Sequence, residues 1–272
     1  MVFDSAGEAW EAVLLIWSVG ALVSTLELLA ARADYAPGGV FSWDLARLRL
    51  SPRAGRRRRR VLDALFARGL TGLLVARLTL VVLLVLAPAG GRLQHAGLTG
   101  LVATTLLLSW RREWGNDGSD HMSSVVLVTA FVAYGPLSDG FLETTGLVYL
   151  CVQACLAYGT AGVAKLVSPV WRSGAALGLV LDTATYGHAR TAAALQRYVQ
   201  IGQLMTWSVV VAELALGLGL VLFLPAPWAW ILLVWGASFH VAAAVTMGLN
   251  TFPPAFLATY PALVYVHGLV WS

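Results

Sequence analysis

Apolar runs recur along this chain, many of them near the length of about 20 residues that an α-helix needs to cross a bilayer. Eight can be drawn, near residues 10–30, 69–88, 96–110, 121–135, 142–164, 200–224, 227–247 and 252–271. Inside lipid no water satisfies backbone N–H and C=O groups, so such segments must bond internally. The expectation is an all-α, polytopic transmembrane helix bundle of about eight hydrophobic segments, some of them short or broken. The composition leaves little room for a soluble domain: 58% of residues are hydrophobic, 12% are charged, and the mean hydropathy is +0.75.

Residues 1–272 read as a single membrane domain with two stretches outside the spans. Residues 31–68 form an arginine-rich loop that contains a short amphipathic helix candidate, Phe41 to Leu50, and five consecutive arginines, Arg56 to Arg60. Residues 166–199 begin at Ser168-Pro169 and read as one or two surface helices. The polar stretch Trp110 to His121 lies between the two shortest segments. Either those segments span with its help, or it dips inward between broken helices.

The loops after the first, third and fifth segments hold nearly all the basic residues, which the positive-inside rule places in the cytoplasm. Both chain ends would then lie outside. The net charge of +4 therefore reports topology, and no nucleic-acid partner is expected. The acidic start, Met1 to Glu8, has no basic region of the kind that opens a cleaved signal peptide. Cys151 and Cys155 sit inside an apolar segment and outline no disulfide framework.

Against seventeen arginines there is one lysine, Lys165, at the end of the fifth segment. A guanidinium stays charged, whereas a desolvated amine can become a base. The opposing reading is a lysine that snorkels to the membrane surface. Cys151, Cys155, Tyr158, Gly162 and Lys165 follow a 4-3-4-3 spacing and share one helix face. That stripe suits close helix packing equally well.

Other ionisable residues also fall within spans. Arg77 and Glu213 lie mid-segment, and Thr206 is on the Glu213 face. Burying such charges is costly, so they should face the interior and pair. An Arg77–Glu213 ion pair that only fixes packing is one reading. His240 is either a satisfied core histidine or a pocket group. Trp114-Gly-Asn-Asp-Gly-Ser-Asp-His121 is the densest polar cluster. Its acids could cap the next helix, yet Asn116, Asp117, Asp120 and His121 exceed what a cap needs. The spacing is neither that of an EF-hand nor that of a zinc site, and no metal is expected. The chain has no phosphate-binding loop, no nucleophile elbow and no His-Glu-x-x-His.

Three of these stretches together resemble the HTTM family, the membrane domain shared with vitamin K-dependent gamma-carboxylase. They are Ala157-Tyr-Gly-Thr-Ala-Gly-Val-Ala-Lys165 followed by Trp171 and Gly174, then Trp114-Gly-Asn-Asp117, and Phe239-His240 followed by Met247-Gly248 and Phe252. Glu213 falls where that family has an acidic residue. The resemblance covers roughly residues 70–270 and is nearest to short bacterial members similar to sporulation-delaying protein B, which serves maturation of an exported antimicrobial peptide. It departs from the carboxylase at Asp117, where that enzyme has a histidine. The carboxylase's large lumenal portion also has no counterpart here.

The resemblance implies an integral membrane enzyme, expected in the bacterial cell membrane. Lys165 would be the base acting on a reduced quinone, vitamin K-like, or another lipid cosubstrate. Asp117, His121 and His240 would be its catalytic companions. Trp114, Asn116, Asp120, Tyr158, Glu213, Arg77 and Trp171 would line the pocket. The expected partners are the lipid bilayer, a small peptide substrate and other maturation proteins. The alternative expectation is a non-catalytic membrane partner or chaperone in antimicrobial-peptide maturation or immunity.

Overall fold

A computed structural model describes residues 2–49, 55–111 and 117–272. Among the described residues every regular element is helical. In chain order these are α1 (Ala6–Ala30), α2 (Trp43–Ala46), α3 (Arg56–Asp63), α4 (Leu70–Leu86), α5 (Arg92–Arg111), α6 (Gly118–Ala133), α7 (Gly140–Val167), α8 (Pro169–Arg172), α9 (Ala176–Leu181), α10 (Ala189–Arg197), α11 (Val199–Gly217), α12 (Leu220–Phe223), α13 (Ala226–Met247), α14 (Phe252–Leu257) and α15 (Tyr260–Trp271).

Four helices are long and apolar enough to cross a membrane: Ala6–Ala33, Gly140–Val167, Val199–Gly217 and Ala226–Met247. A fifth arises if Arg57–Ala67 and Leu70–Leu86, bent by 71°, form one span. These helices mark the chain as a membrane protein.

The other apolar segments differ from the expectation for local reasons. The fourth forms the 16-residue α6, which rises about 24 Å at 1.5 Å per residue and falls short of a hydrocarbon core of about 30 Å. The sixth stops at Gly217 and restarts after Gly219, whose φ is +68°, a left-handed conformation that favours glycine. The last divides into α14 and α15 around Ala258 and Thr259, with Pro261 in the first turn of α15. Residues 166–199 hold three short helices, α8, α9 and α10, rather than one or two.

Polar contacts tie the helix ends at two levels. Gln94, near the start of α5, donates to Glu11 near the start of α1, and Tyr134, just after α6, donates to the same carboxylate. Asn250, between α13 and α14, donates to Glu27 near the far end of α1. The described parts of the 31–68 connection, residues 31–49 and 55–68, are held to each other and to the end of α5. Trp43 donates to Asp63 at 2.6 Å and packs with Phe66 and Trp110. The Arg111 guanidinium lies over Tyr35 and Trp43 and donates to the Phe41 carbonyl.

Among the described residues a small apolar cluster joins Leu181, Ala192 and Leu195 of α9 and α10, and two larger ones fill the interior. One surrounds Trp10, Val13 and Trp17 of α1. The other joins Cys151, Ala154 and Tyr158 of α7 to Leu216, Val221, Leu233 and Leu263. Helices α7 and α11 approach closely because their contact is made of small residues. A Cβ on Gly217 would collide with the Gly159 backbone, and one on Gly162 would lie 3.0 Å from the Leu214 nitrogen. Removing side chains is how membrane helices bring their backbones together.

Candidate functional site

The close approach of α7 and α11 sets Lys165 opposite Glu213. The lysine Nζ donates to Glu213 Oε1 at 2.8 Å and to Oε2 at 2.7 Å. The glutamate side chain is 5% exposed and that of the lysine 19%. The Trp171 ring lies under the ammonium, 5.1 Å from Nζ to the ring centroid, a cation–π contact. Pro169 opens α8 and turns the chain back so that Trp171 reaches this point. Thr206, fully buried on the Glu213 face, directs its hydroxyl at the carbonyls of Gly174 and Gly202. That contact fastens the α8 turn onto α11. Gly174 has a φ of +78°, and a Cβ there would strike Gln203.

Two turns back along α7, Tyr158 begins a second polar group. Its hydroxyl lies 2.8 Å from His240 Nε2 on α13 and 3.1 Å from the Tyr260 hydroxyl on α15. Gly236 leaves room for the Tyr260 hydroxyl, which any Cβ at that position would meet. The His240 ring stacks on Phe256 at 4.5 Å and 13°, with Phe239 and Phe252 beside it. The lysine pair and the Tyr–His–Tyr cluster share one face of α7, on which Tyr158 and Lys165 lie seven residues apart.

Asp117 and Asp120 belong to the start of α6. Asp117 is the N-cap of α6 and accepts from the backbone N–H groups of Ser119 and Asp120 and from the Ser119 hydroxyl. Asp120 completes a capping box with the Asp117 N–H. The capping reading accounts for these contacts, and neither acid bonds to Lys165. His121 is exposed. Trp114 and Asn116 lie outside the described residues.

Arg77 does not pair with Glu213. Its guanidinium donates to the Thr105 hydroxyl at 2.7 Å, and it lines a small polar cavity of about 30 Å³ with Thr105, Ser119, Asp120 and Thr251. The Ser119 and Thr251 hydroxyls meet there at 2.8 Å. The expected Arg77–Glu213 pair fails because α11 presents its acid to α7, whereas α4 packs on α1 and α5.

The structure thus gathers Lys165, Glu213, Trp171, Tyr158 and His240. Sequence reasoning missed Tyr260, since a tyrosine in an apolar run carries no signal of its own. It also missed Glu11, an acid within the first turns of a span, which the cost of burying charge would have flagged. Among the described residues no cluster of three or more His, Cys, Asp or Glu could hold a metal ion. Comparison with protein-family models, curated proteins and solved structures finds no match to the chain.

Proposed function

We propose that this protein is an integral membrane enzyme of the HTTM type, resembling the membrane core of vitamin K-dependent gamma-carboxylase. Lys165 takes a proton from a quinol-like lipid in the maturation of a peptide, in a bacterial cell membrane. The observation that carries the reading is the bidentate Lys165–Glu213 pair beside a buried Tyr–His cluster. Isolated charges are rare within spans and mark functional sites by default. Here an amine and its acid lie side by side in a setting that excludes most water.

At rest the ammonium is bound to its carboxylate, and its lone pair is not available. Moving one proton from Lys165 to Glu213 neutralises both groups and frees the amine as a base. Glu213 then holds the proton. An apolar cosubstrate that displaces the remaining water favours this neutral form, because desolvation penalises charge.

The finer architecture belongs to the same reading. Helices α5 and α6, the bent α3–α4 pair and the broken α14–α15 complete the bundle as shorter spans, giving eight crossings. Support comes from the two levels of helix-end contacts. Glu11, Gln94 and Tyr134 mark one level, and Glu27 with Asn250 marks the other. Alternating crossings place helix ends in this way.

The same pair favours a second reading, a non-catalytic partner or chaperone in peptide maturation or immunity, in which Lys165 and Glu213 only hold α7 to α11. Lys165→Arg separates the two. Arginine keeps a cation opposite Glu213 but cannot serve as a base. In lipid nanodiscs supplied with a reduced naphthoquinone under oxygen, the enzyme reading expects the variant to fold and to lose quinol consumption at least a hundredfold. Full retention of consumption in a folded Lys165→Arg protein, or none in the parent protein, sinks it.

A further inference from the structure

The run from Arg56 to Arg60 makes up most of α3, Arg56–Asp63. Residues three and four apart on a helix are neighbours, so consecutive arginines repel one another along its surface. The helix also opens with cations at the end where its dipole favours negative charge. Gly55 is its N-cap, no side chain caps it, and no acid lies in its first turn. Arg57, Arg58 and Arg60 are exposed, and among the described residues no carboxylate bonds to them. Two neighbouring acids are bonded elsewhere: Asp63 accepts from Trp43, and Asp44 pairs with Arg47. The chain thus places a block of like charge in a helix and supplies no counter-charge for these three arginines.

This helix is held in a defined place. Phe66, just beyond it, is buried against Trp43 and Trp110. The Trp43–Asp63 bond fixes its last turn. The helical run Arg57–Ala67 is bent by 71° from Leu70–Leu86. With α4 as a crossing, that bend lays α3 close to the membrane plane. Val61 follows Arg57 and Arg58 by four and three residues and so shares their face. It is exposed, as are Val40, Phe41, Leu45 and Leu48 in the first half of the same connection. A helix at headgroup level uses both kinds of side chain. Apolar groups and arginine stems enter the acyl boundary, while the guanidinium heads reach the phosphates.

We propose that α3 lies on the bilayer surface and binds the phosphodiester headgroups of anionic phospholipids through Arg57, Arg58 and Arg60, with Val61 set into the acyl boundary. A guanidinium pairs with a phosphate through two parallel hydrogen bonds. The lipid phosphates supply the negative charge that α3 omits, and the positive-inside rule puts the helix on the leaflet that carries it. A soluble polyanion such as RNA would satisfy the guanidinium groups but leave Val61 in water. The inference rests on the reading of α4 as a crossing and on no chemistry at Lys165.

Hydrogen–deuterium exchange of the full chain tests it, in nanodiscs of phosphatidylcholine alone and of phosphatidylcholine mixed with phosphatidylglycerol. At about fivefold per cation, the three arginines together should favour the anionic surface by on the order of a hundredfold. The amides of Arg56–Asp63 should exchange about tenfold more slowly in the anionic membrane. Arg57→Gln, Arg58→Gln and Arg60→Gln in one chain should abolish that difference, as should high salt. Lysine at the same three positions keeps the charge and should keep most of the protection. Equal exchange of α3 in the two membranes overturns the proposal, as does protection that survives in the glutamine variant. Protection by added RNA but not by phosphatidylglycerol assigns the arginines to a soluble polyanion and also overturns it. Fast exchange along Leu70–Leu86 in both membranes would show that α4 is no crossing and remove the ground for a surface helix. Slow exchange there beside an unprotected α3 leaves the crossing standing and sinks the headgroup site alone.

Discussion

The polar groups at the start of α6 and those between α7, α11 and α13 look alike in the chain but do different work. Around Asp117 the acids bond to neighbours two and three residues away and close a helix end. Around Lys165 the hydrogen-bond partners are remote: Glu213 lies 48 residues on, and His240 is 82 residues from Tyr158. A local cap can form wherever a helix begins, and its polar groups are satisfied before tertiary packing starts. A cross-helix pair exists only when the bundle has assembled, and it is held where water is scarce. Dense polarity in a membrane sequence is therefore a poor guide to a site, and sparse polarity inside a span is a better one.

The sharpest way to break this contrast is to remove Lys165. Lys165→Met leaves Glu213 as a buried carboxylate without its partner, and breaking a buried pair from one side costs about 3–5 kcal/mol. The melting temperature in detergent should fall accordingly, and Glu213→Leu in the same chain should restore most of it. No loss in the single variant would show that the pair is hydrated and unimportant to the fold.

Asp117→Ala removes a cap and should cost about 1 kcal/mol, read as a small drop in denaturation midpoint. Quinol consumption should be unchanged in that variant. If it vanished while the protein stayed folded, Asp117 would belong with Lys165 after all and the division between the two regions would collapse. The smallest effect belongs to His121, which is exposed at the start of α6. His121→Ala should shift stability by no more than about 0.5 kcal/mol and leave the quinol assay unaltered. A clear fall in the assay would return His121 to the site.

Much of the fold was legible in the chain. Starts and ends of α1, α4, α7 and α13 follow from where apolar runs meet Ser, Asp, Gly and Pro. The stripe on α7 was legible as a face, and the structure uses Gly162 on it to admit α11. The breaks within the sixth and the last apolar runs were harder. Hydropathy does not fall at Gly217 or Thr259, and only backbone geometry ends the helices there. The anchoring of residues 31–68 through Trp43 and Arg111 was equally hidden, because tryptophan and arginine near a span read as ordinary interface residues.

The sequence alone determined that the chain is a helical membrane protein, because long apolar runs have no other way to satisfy their backbones in lipid. It also determined that Lys165, Glu213, Arg77 and His240 each need a partner, because a lone polar group in that medium is costly. Only the tertiary structure decided which partners meet. Periodicity assigns a residue to a face of its own helix but says nothing about the helix opposite. Gly159, Gly162 and Gly217 settle that question for Lys165 by admitting α11 at close range, so its acid is Glu213 and not Asp117.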